Sequence, residues 1–205
     1  MPTENDKPII LGIDAEWQIS EDKMSNNILS YQWYGISTDG EWSGIHYTVS
    51  PHHQQSRITM SKWLSLAVMD GLSSGAISGW PRAMIVVSHY SVAELTALKD
   101  FTDLKNKFDN VQKTFVSISE TFNCTLYDNS RNPKPVTLRL LDTLLLVPGQ
   151  SRGLEALGDL HNIPKVELGR ESKSNMLGLL HTDPELFKRY AIRDAVSNVS
   201  ALGTH

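Results

Sequence analysis

The stretch Pro8–Trp17, PIILGIDAEW, decides how the rest of the chain is read. Ile9, Ile10, Leu11 and Ile13 form a continuous apolar run of the kind that fills a strand buried on both faces. Asp14 and Glu16 stand at its C-terminal end. Side chains two apart on a strand share one face, so both carboxylates project to the same side. Paired carboxylates repel, and a divalent cation with oxygen ligands relieves that repulsion. The alternative is two solvated acids in a loop.

Working outward, Ile28–Ser37 (ILSYQWYGIS) is aromatic and β-branched, and Gly40–Val49 follows the turn signal Thr38-Asp-Gly40. The three runs read as an antiparallel meander. From Ile58 to Leu72 the apolar residues Ile58, Trp63, Leu66, Ala67 and Met69 recur at helical spacing, until Ser73–Gly79 breaks the pattern. Ala83–Val87 (AMIVV) reads as a central parallel strand and Ser91–Phe101 as a helix. More helix and then a hairpin are expected between Thr102 and Asn132, with Asp128–Pro135 as the turn-rich loop. Val136–Leu146 resumes as a strand, and helices are predicted over Gly153–Leu160, Met176–Leu180 and Pro184–Leu202. Thr182-Asp-Pro-Glu185 is a helix start, with Pro184 in the first turn and Glu185 available for a capping box. No repeat or linker divides the chain. Residues 1–205 are expected to form one α/β domain, three antiparallel strands followed by strands alternating with helices.

Composition narrows the classes. Of 205 residues, 40% are hydrophobic and 20% charged, which suits a folded core and argues against global disorder. No apolar run approaches the roughly 20 residues of a membrane span, so no membrane partner is expected. The polar start MPTENDK is unlike a signal peptide. Cys124 stands alone, without an internal disulfide or a cysteine-based zinc site, and a cytoplasmic setting is the default expectation. Lys and Arg total 19 against 23 Asp and Glu, a formal charge of −4. Counterion release over a broad basic face is therefore excluded as a binding mode. Any nucleic-acid contact must come from a local groove or from metal ions.

Further candidates lie where such a fold would gather them. Tyr190 and Asp194 are four apart, on one helix face; packing with a hydrogen bond is the simpler reading of that pair alone. Val86–Glu94 (VVSHYSVAE) spans a strand-to-helix junction, the place where ligands of open α/β sheets bind. Its Ser91-Val-Ala-Glu94 is also a capping box, in which Glu94 would only close the helix's own first turn. His89 reads equally as a substrate contact or as a histidine hydrogen-bonded at a strand end. Asp142 reads as structural or supporting. His52 and His53 read as solvated, and Ser88 and Ser91 lack the partners for nucleophilic catalysis. Of the five tryptophans, all within the first 80 residues, most read as core; Trp17, beside the acids, could stack on a base.

Together, Asp14-Ala-Glu16, Val86–Glu94 and Tyr190-Ala-Ile-Arg-Asp194 resemble the motifs of the DnaQ-like DEDD superfamily of 3′–5′ exonucleases, in its tyrosine (DEDDy) branch. With Arg139-Leu-Leu-Asp-Thr143 and Leu154-Glu-Ala-Leu-Gly158, the chain is similar to proofreading domains of family B-like DNA polymerases. The second motif departs from the family's pattern, with Glu94 where Asp is usual. The resemblance implies an RNase H-like mixed sheet flanked by helices. It implies hydrolysis of DNA or RNA from a 3′ end, releasing nucleoside 5′-monophosphates with two Mg²⁺ or Mn²⁺ ions about 3.5–4 Å apart. Asp14 would bridge the ions, Glu16 and Asp194 would complete their shells, Glu94 would act directly or through water, and Tyr190 would orient the attacking water. His89 and Trp17 would contact the substrate, a single-stranded 3′ end. A catalytically impaired binding module is the alternative the Glu94 departure raises, and an RNase H-like endonuclease is another. The chain stops soon after Asp194, so the expectation is a domain taken from a longer protein, with further domains or a polymerase partner.

Overall fold

The structure is a computed structural model that describes residues 3–5, 8–21, 23–146, 166 and 168–203. Its strands are β1 (Thr3–Asn5), β2 (Ile9–Ile19), β3 (Asn26–Ile36), β4 (Glu41–Tyr47), β5 (Gly79–Pro81), β6 (Ala83–Ser88), β7 (Asp109–Val111), β8 (Thr114–Val116), β9 (Phe122–Tyr127) and β10 (Pro133–Asp142). Its α-helices are α1 (Met60–Ser74), α2 (Ser91–Thr96), α3 (Phe101–Leu104), α4 (Arg170–Ser174), α5 (Met176–Thr182) and α6 (Pro184–Ser200). The expected helix over Gly153–Leu160 and the Leu154–Gly158 motif lie outside the described residues. Among the described residues no helix is long and apolar enough to cross a membrane.

Six strands form one mixed sheet in the order β4-β3-β2-β6-β10-β9. The β2–β3, β3–β4 and β9–β10 pairs are antiparallel, and β6 runs parallel to both β2 and β10. This is the mixed sheet flanked by helices expected from the sequence, and it is consistent with an RNase H-like fold. Alternation along β2 divides its two faces. Ile9, Leu11, Ile13 and Ala15 join Trp63, Leu64, Ala67 and Val68 of α1 in the larger core. The even-numbered residues Gly12, Asp14 and Glu16 face α6. On that side Phe187 and Ala191 of α6 pack with Leu29, Met176 and Leu179 in a second cluster.

Gly12 fixes the distance between sheet and helix. A Cβ built on it would lie 2.2 Å from the Ala195 carbonyl oxygen and 2.7 Å from Val199 Cγ2. The α6 backbone thus rests directly on β2, and Asn198 Nδ2 ties it down by donating to the Ile13 carbonyl at 2.9 Å. The helix opens at Pro184, as the sequence suggests, but its cap is not the one a Thr182–Glu185 capping box would use. Asp183, not Thr182, caps it by accepting from Leu186 N at 3.0 Å, while Thr182 Oγ1 donates back to Gly178 O at 2.9 Å. Pro184 sits in the first turn as expected.

Other differences have local causes. The helix expected over Ser91–Phe101 is two short pieces, because residues 97–100 are claimed by neighbours. The Ala97 carbonyl accepts from Tyr31 Oη at 2.7 Å, Lys99 N donates to Ile58 O at 2.9 Å, and Asp100 Oδ1 accepts from Met60 N at 3.1 Å. The strand expected to reach Leu146 ends at Asp142, whose side chain accepts from Leu144 N at 2.8 Å and turns the chain into a 3-10 segment. The polar segment Thr3–Asn5 pairs in parallel with Gly79–Pro81, a two-stranded addition with no apolar signal. Between Thr102 and Asn132 two hairpins form rather than one. The extra one, β7–β8, turns at Gln112 and Lys113, both with positive φ.

Gly12→Ala should therefore lower the unfolding free energy by about 2–3 kcal/mol or more, as overpacking of a tight contact does. Urea denaturation of the two proteins measures this, and an unchanged midpoint would show that α6 does not need the close approach.

Candidate metal centre

The acidic end of β2 and the middle of α6 meet because Gly12 lets them. Asp14, Glu16 and Asp194 each present a carboxylate oxygen, and the three atoms lie within 4.8 Å of one another. Asp194 is buried, while Asp14 and Glu16 are half-buried. A β-bulge adjoins them. Glu16 pairs with Ser30 but Trp17 with Ile28, leaving Leu29 as the extra residue on β3. Bulges of this kind re-aim side chains beside functional sites.

Support for Asp14 comes from β3. Gln32, fully buried, donates from Nε2 to Asp14 Oδ2 at 2.5 Å, and its Oε1 accepts from Ser30 Oγ at 3.0 Å. Reading the sequence for motifs misses Gln32. The available signal was a lone amide within the aromatic run ILSYQWYGIS, which must find a partner if that strand is buried.

Glu94 lies beside this centre, outside the group of three acids, and it is not the second half of a capping box. The residue preceding α2 is Tyr90, in the left-handed region at φ 58°, and Ser91 already lies within the helix. Ser91 Oγ turns instead to Phe115, donating to its carbonyl at 2.7 Å and accepting from its N–H at 2.9 Å. The Glu94 carboxylate accepts from the N–H of Ala15, the residue between the two strand acids. Only 3% of Glu94 is exposed, and its Oε2 has no hydrogen-bond partner among the described residues. Burial, then the charges of Asp14 and Glu16, and lastly that of Asp194, push its pKa well above the ordinary 4.5, against the Ala15 N–H. The other acids near this motif lie elsewhere. Asp100 is bonded to the start of α1, and Asp103 is exposed.

Repulsion of this size needs an answer. Like charges within 4.8 Å of one another cost on the order of 3 kcal/mol or more per pair at an effective dielectric near 20 when all are ionised. Summed over the pairs, that rivals the 5–15 kcal/mol total stability of an ordinary domain. Protons or a hard cation must compensate. The donor set, three carboxylates that each offer an oxygen, is of the kind that suits a hard cation. Asp14, Glu16 and Asp194 could hold it.

The remaining candidates are distributed around this centre. Tyr190 is half-buried, one turn before Asp194 on the same face of α6, beside the second core cluster. His89 follows β6, its Nδ1 2.9 Å from Thr143 Oγ1. Trp17 packs on the larger core and lines a cavity of about 240 Å³ with Asn26, Arg57, Ala93 and Thr96. There Arg57, absent from the motif reading, donates to Thr96 O at 2.9 Å and Asn26 O at 2.8 Å. Trp33, Trp42, Trp63 and Trp80 are core residues, as expected. A wider groove of about 750 Å³ includes Gln18, the next residue on the Asp14–Glu16 face, with Asn27, His52 and Asn175. His52 is exposed but not merely solvated, since its Nδ1 lies 3.2 Å from Asn27 Nδ2.

No family model matches this chain. A search of curated proteins finds it similar to the primer-independent DNA polymerase PolB of Escherichia coli. The two are 27% identical over 210 aligned residues, covering 93% of this chain. The chain spans only 24% of that polymerase's length.

Two measurements probe the centre. Millimolar Mn²⁺ should raise the melting temperature of the wild-type chain, by about 2.7 kcal/mol of added stability at 100 times Kd, and do much less for Asp14→Asn. Calorimetry that detects no heat of Mn²⁺ binding would remove the metal reading. In EDTA, Glu94→Gln should be more stable than wild type at pH 7.5. An acid whose folded pKa is raised costs stability as pH rises above its unfolded value, so the advantage should shrink toward pH 4.5. A pH-independent difference between the two melting temperatures would contradict the buried-repulsion account.

Proposed function

We propose that this chain is a metal-dependent 3′–5′ exonuclease that hydrolyses phosphodiester bonds of DNA or RNA and releases nucleoside 5′-monophosphates. The observation that carries the reading is the convergence of Asp14, Glu16 and Asp194 within 4.8 Å, with the buried Glu94 bonded to Ala15 between the two strand acids. The order Asp-x-Glu, strand-to-helix Glu, Tyr-x3-Asp along the chain supports the tyrosine branch of the DEDD exonucleases. Similarity to a DNA polymerase supports nucleic acid as the substrate class.

Bound Mg²⁺ or Mn²⁺ would supply Lewis-acid polarisation of the phosphodiester and a nucleophilic water at neutral pH. The chain's own part is placement. Asp14, held by Gln32, would bind the metal together with Glu16 and Asp194. Glu94, one methylene longer than the usual Asp and anchored on Ala15, would reach the ions through water. The Tyr190 phenol would orient the attacking water. Trp17 would offer its indole face to the terminal base, beside the Arg57-lined cavity. His89 would steady the strand-to-helix junction that the substrate crosses.

A 5′-labelled single-stranded oligonucleotide, as DNA and as RNA, tests this with Mn²⁺, with Mg²⁺ and with EDTA. The expected result is a metal-dependent ladder shortening from the 3′ end. Asp14→Ala and Asp194→Asn should abolish it, and Tyr190→Phe should slow it by about 100-fold. Turnover retained by a purified Asp14→Ala would sink the assignment. An oligonucleotide bound but undigested under every condition would favour a DnaQ-like binding module.

A further inference from the structure

Asp142 is 4% exposed and lies at the C-terminal end of β10, opposite Ser88 of β6. Its carboxylate is saturated by the chain itself. Oδ1 accepts from Tyr90 N at 2.9 Å and from Leu144 N at 2.8 Å. Oδ2 accepts from Ser91 N at 2.6 Å and from the Thr114 hydroxyl. A carboxylate offers about four lone-pair sites, so none remains for a metal ion or a substrate. Asp142 is thus excluded from direct chemistry, although it stands at the carboxyl end of a strand, where ligands of such sheets gather.

What it holds is the start of α2. That helix has six residues, and its preceding residue, Tyr90, provides no side-chain cap. A helix this short does not persist without tertiary support, and its first N–H groups need acceptors from outside. Asp142 supplies them across the sheet. Ser91 is further pinned by Thr114 Oγ1 at 2.7 Å and by the Phe115 backbone. The segment before the helix is tied to the same place, with His89 Nδ1 on Thr143 Oγ1 at 2.9 Å. Glu94 follows one turn later, buried against Ala15.

We infer that Asp142 is a positioning residue: by capping α2 from the neighbouring strand it holds Glu94 against the Asp14–Glu16–Asp194 centre. The inference rests on the exonuclease reading for its kinetic consequence and is independent of it for its structural one. Thr114 belongs to the same device, since it links the β7–β8 hairpin to both Asp142 and Ser91. Replacing Asp142 by Asn removes the charge and turns an N–H₂ group toward backbone donors. The cap then fails while the side-chain volume stays the same.

The experiment compares wild type, Asp142→Asn and the milder Thr114→Val, which keeps the shape and removes one hydroxyl. In metal-free protein, hydrogen exchange is read at residues 91–95 and at Leu11 in β2. Asp142→Asn should lose at least tenfold protection over 91–95 while Leu11 keeps its own, and Thr114→Val should show a smaller loss of the same pattern. If Asp142→Asn does not fold, Thr114→Val alone decides. On the labelled oligonucleotide, Asp142→Asn should lower kcat at least tenfold with KM unchanged, and excess Mn²⁺ should restore part of the loss. Unchanged exchange at 91–95 in the folded variants overturns the inference, as does a wild-type kcat in Asp142→Asn. If the wild-type chain digests nothing, the exonuclease reading fails, and the exchange pattern still decides what Asp142 holds.

Discussion

The contact between Gly12 and the Ala195 carbonyl sets the geometry on which everything else depends. With no side chain at Gly12, a helix backbone can lie directly on a strand. That brings residues from the beginning and the end of the chain to one point. Asp14 is one same-face step beyond Gly12, and Asp194 is the neighbour of Ala195. The acidic centre is therefore a by-product of backbone packing, and the Asn198–Ile13 bond locks the same approach one turn further along α6.

The charges gathered there oppose the packing that gathers them. The apolar clusters on the two faces of the sheet supply the attraction that keeps α6 in place. Sites of this kind carry stored electrostatic cost, which a bound cation turns into affinity. Glu94 is the clearest sign of that cost. It is enclosed, the charges of three other carboxylates act on it, and one of its oxygens has no hydrogen-bond partner among the described residues. Its place depends on a helix too short to stand alone, so the fourth acid is held by a network rather than by a long element.

Much of this was legible in the sequence, for a reason that can be named. A continuous apolar run that ends in two acids two residues apart states both the strand and the face its carboxylates share. The Tyr190–Asp194 spacing states a helix face in the same way. What sequence cannot state is competition between local signals and distant partners. Ser91-Val-Ala-Glu94 satisfies the rule for a capping box, yet Phe115 takes the serine and Ala15 takes the glutamate. Residues 97–100 look helical until Tyr31 and Ile58 claim their backbone. Thr3–Asn5 forms a strand only because Gly79–Pro81 offers an edge. Gln32 is the supporting residue a motif search passes over, because its meaning lies in what it touches.

The strand order also bears on how the molecule is assembled. On one side of the sheet β2, β3 and β4 are sequential neighbours, and on the other β9 and β10 are, so both halves can form from short-range contacts. The parallel joints through β6, and the docking of α6 on β2, close much longer loops and form more slowly. The acids on β2 meet Asp194 only through a contact between the two ends of the described chain. Their mutual repulsion opposes that contact. A divalent cation held there would offset the repulsion, so that the closure of the chain's two ends is tied to ionic conditions.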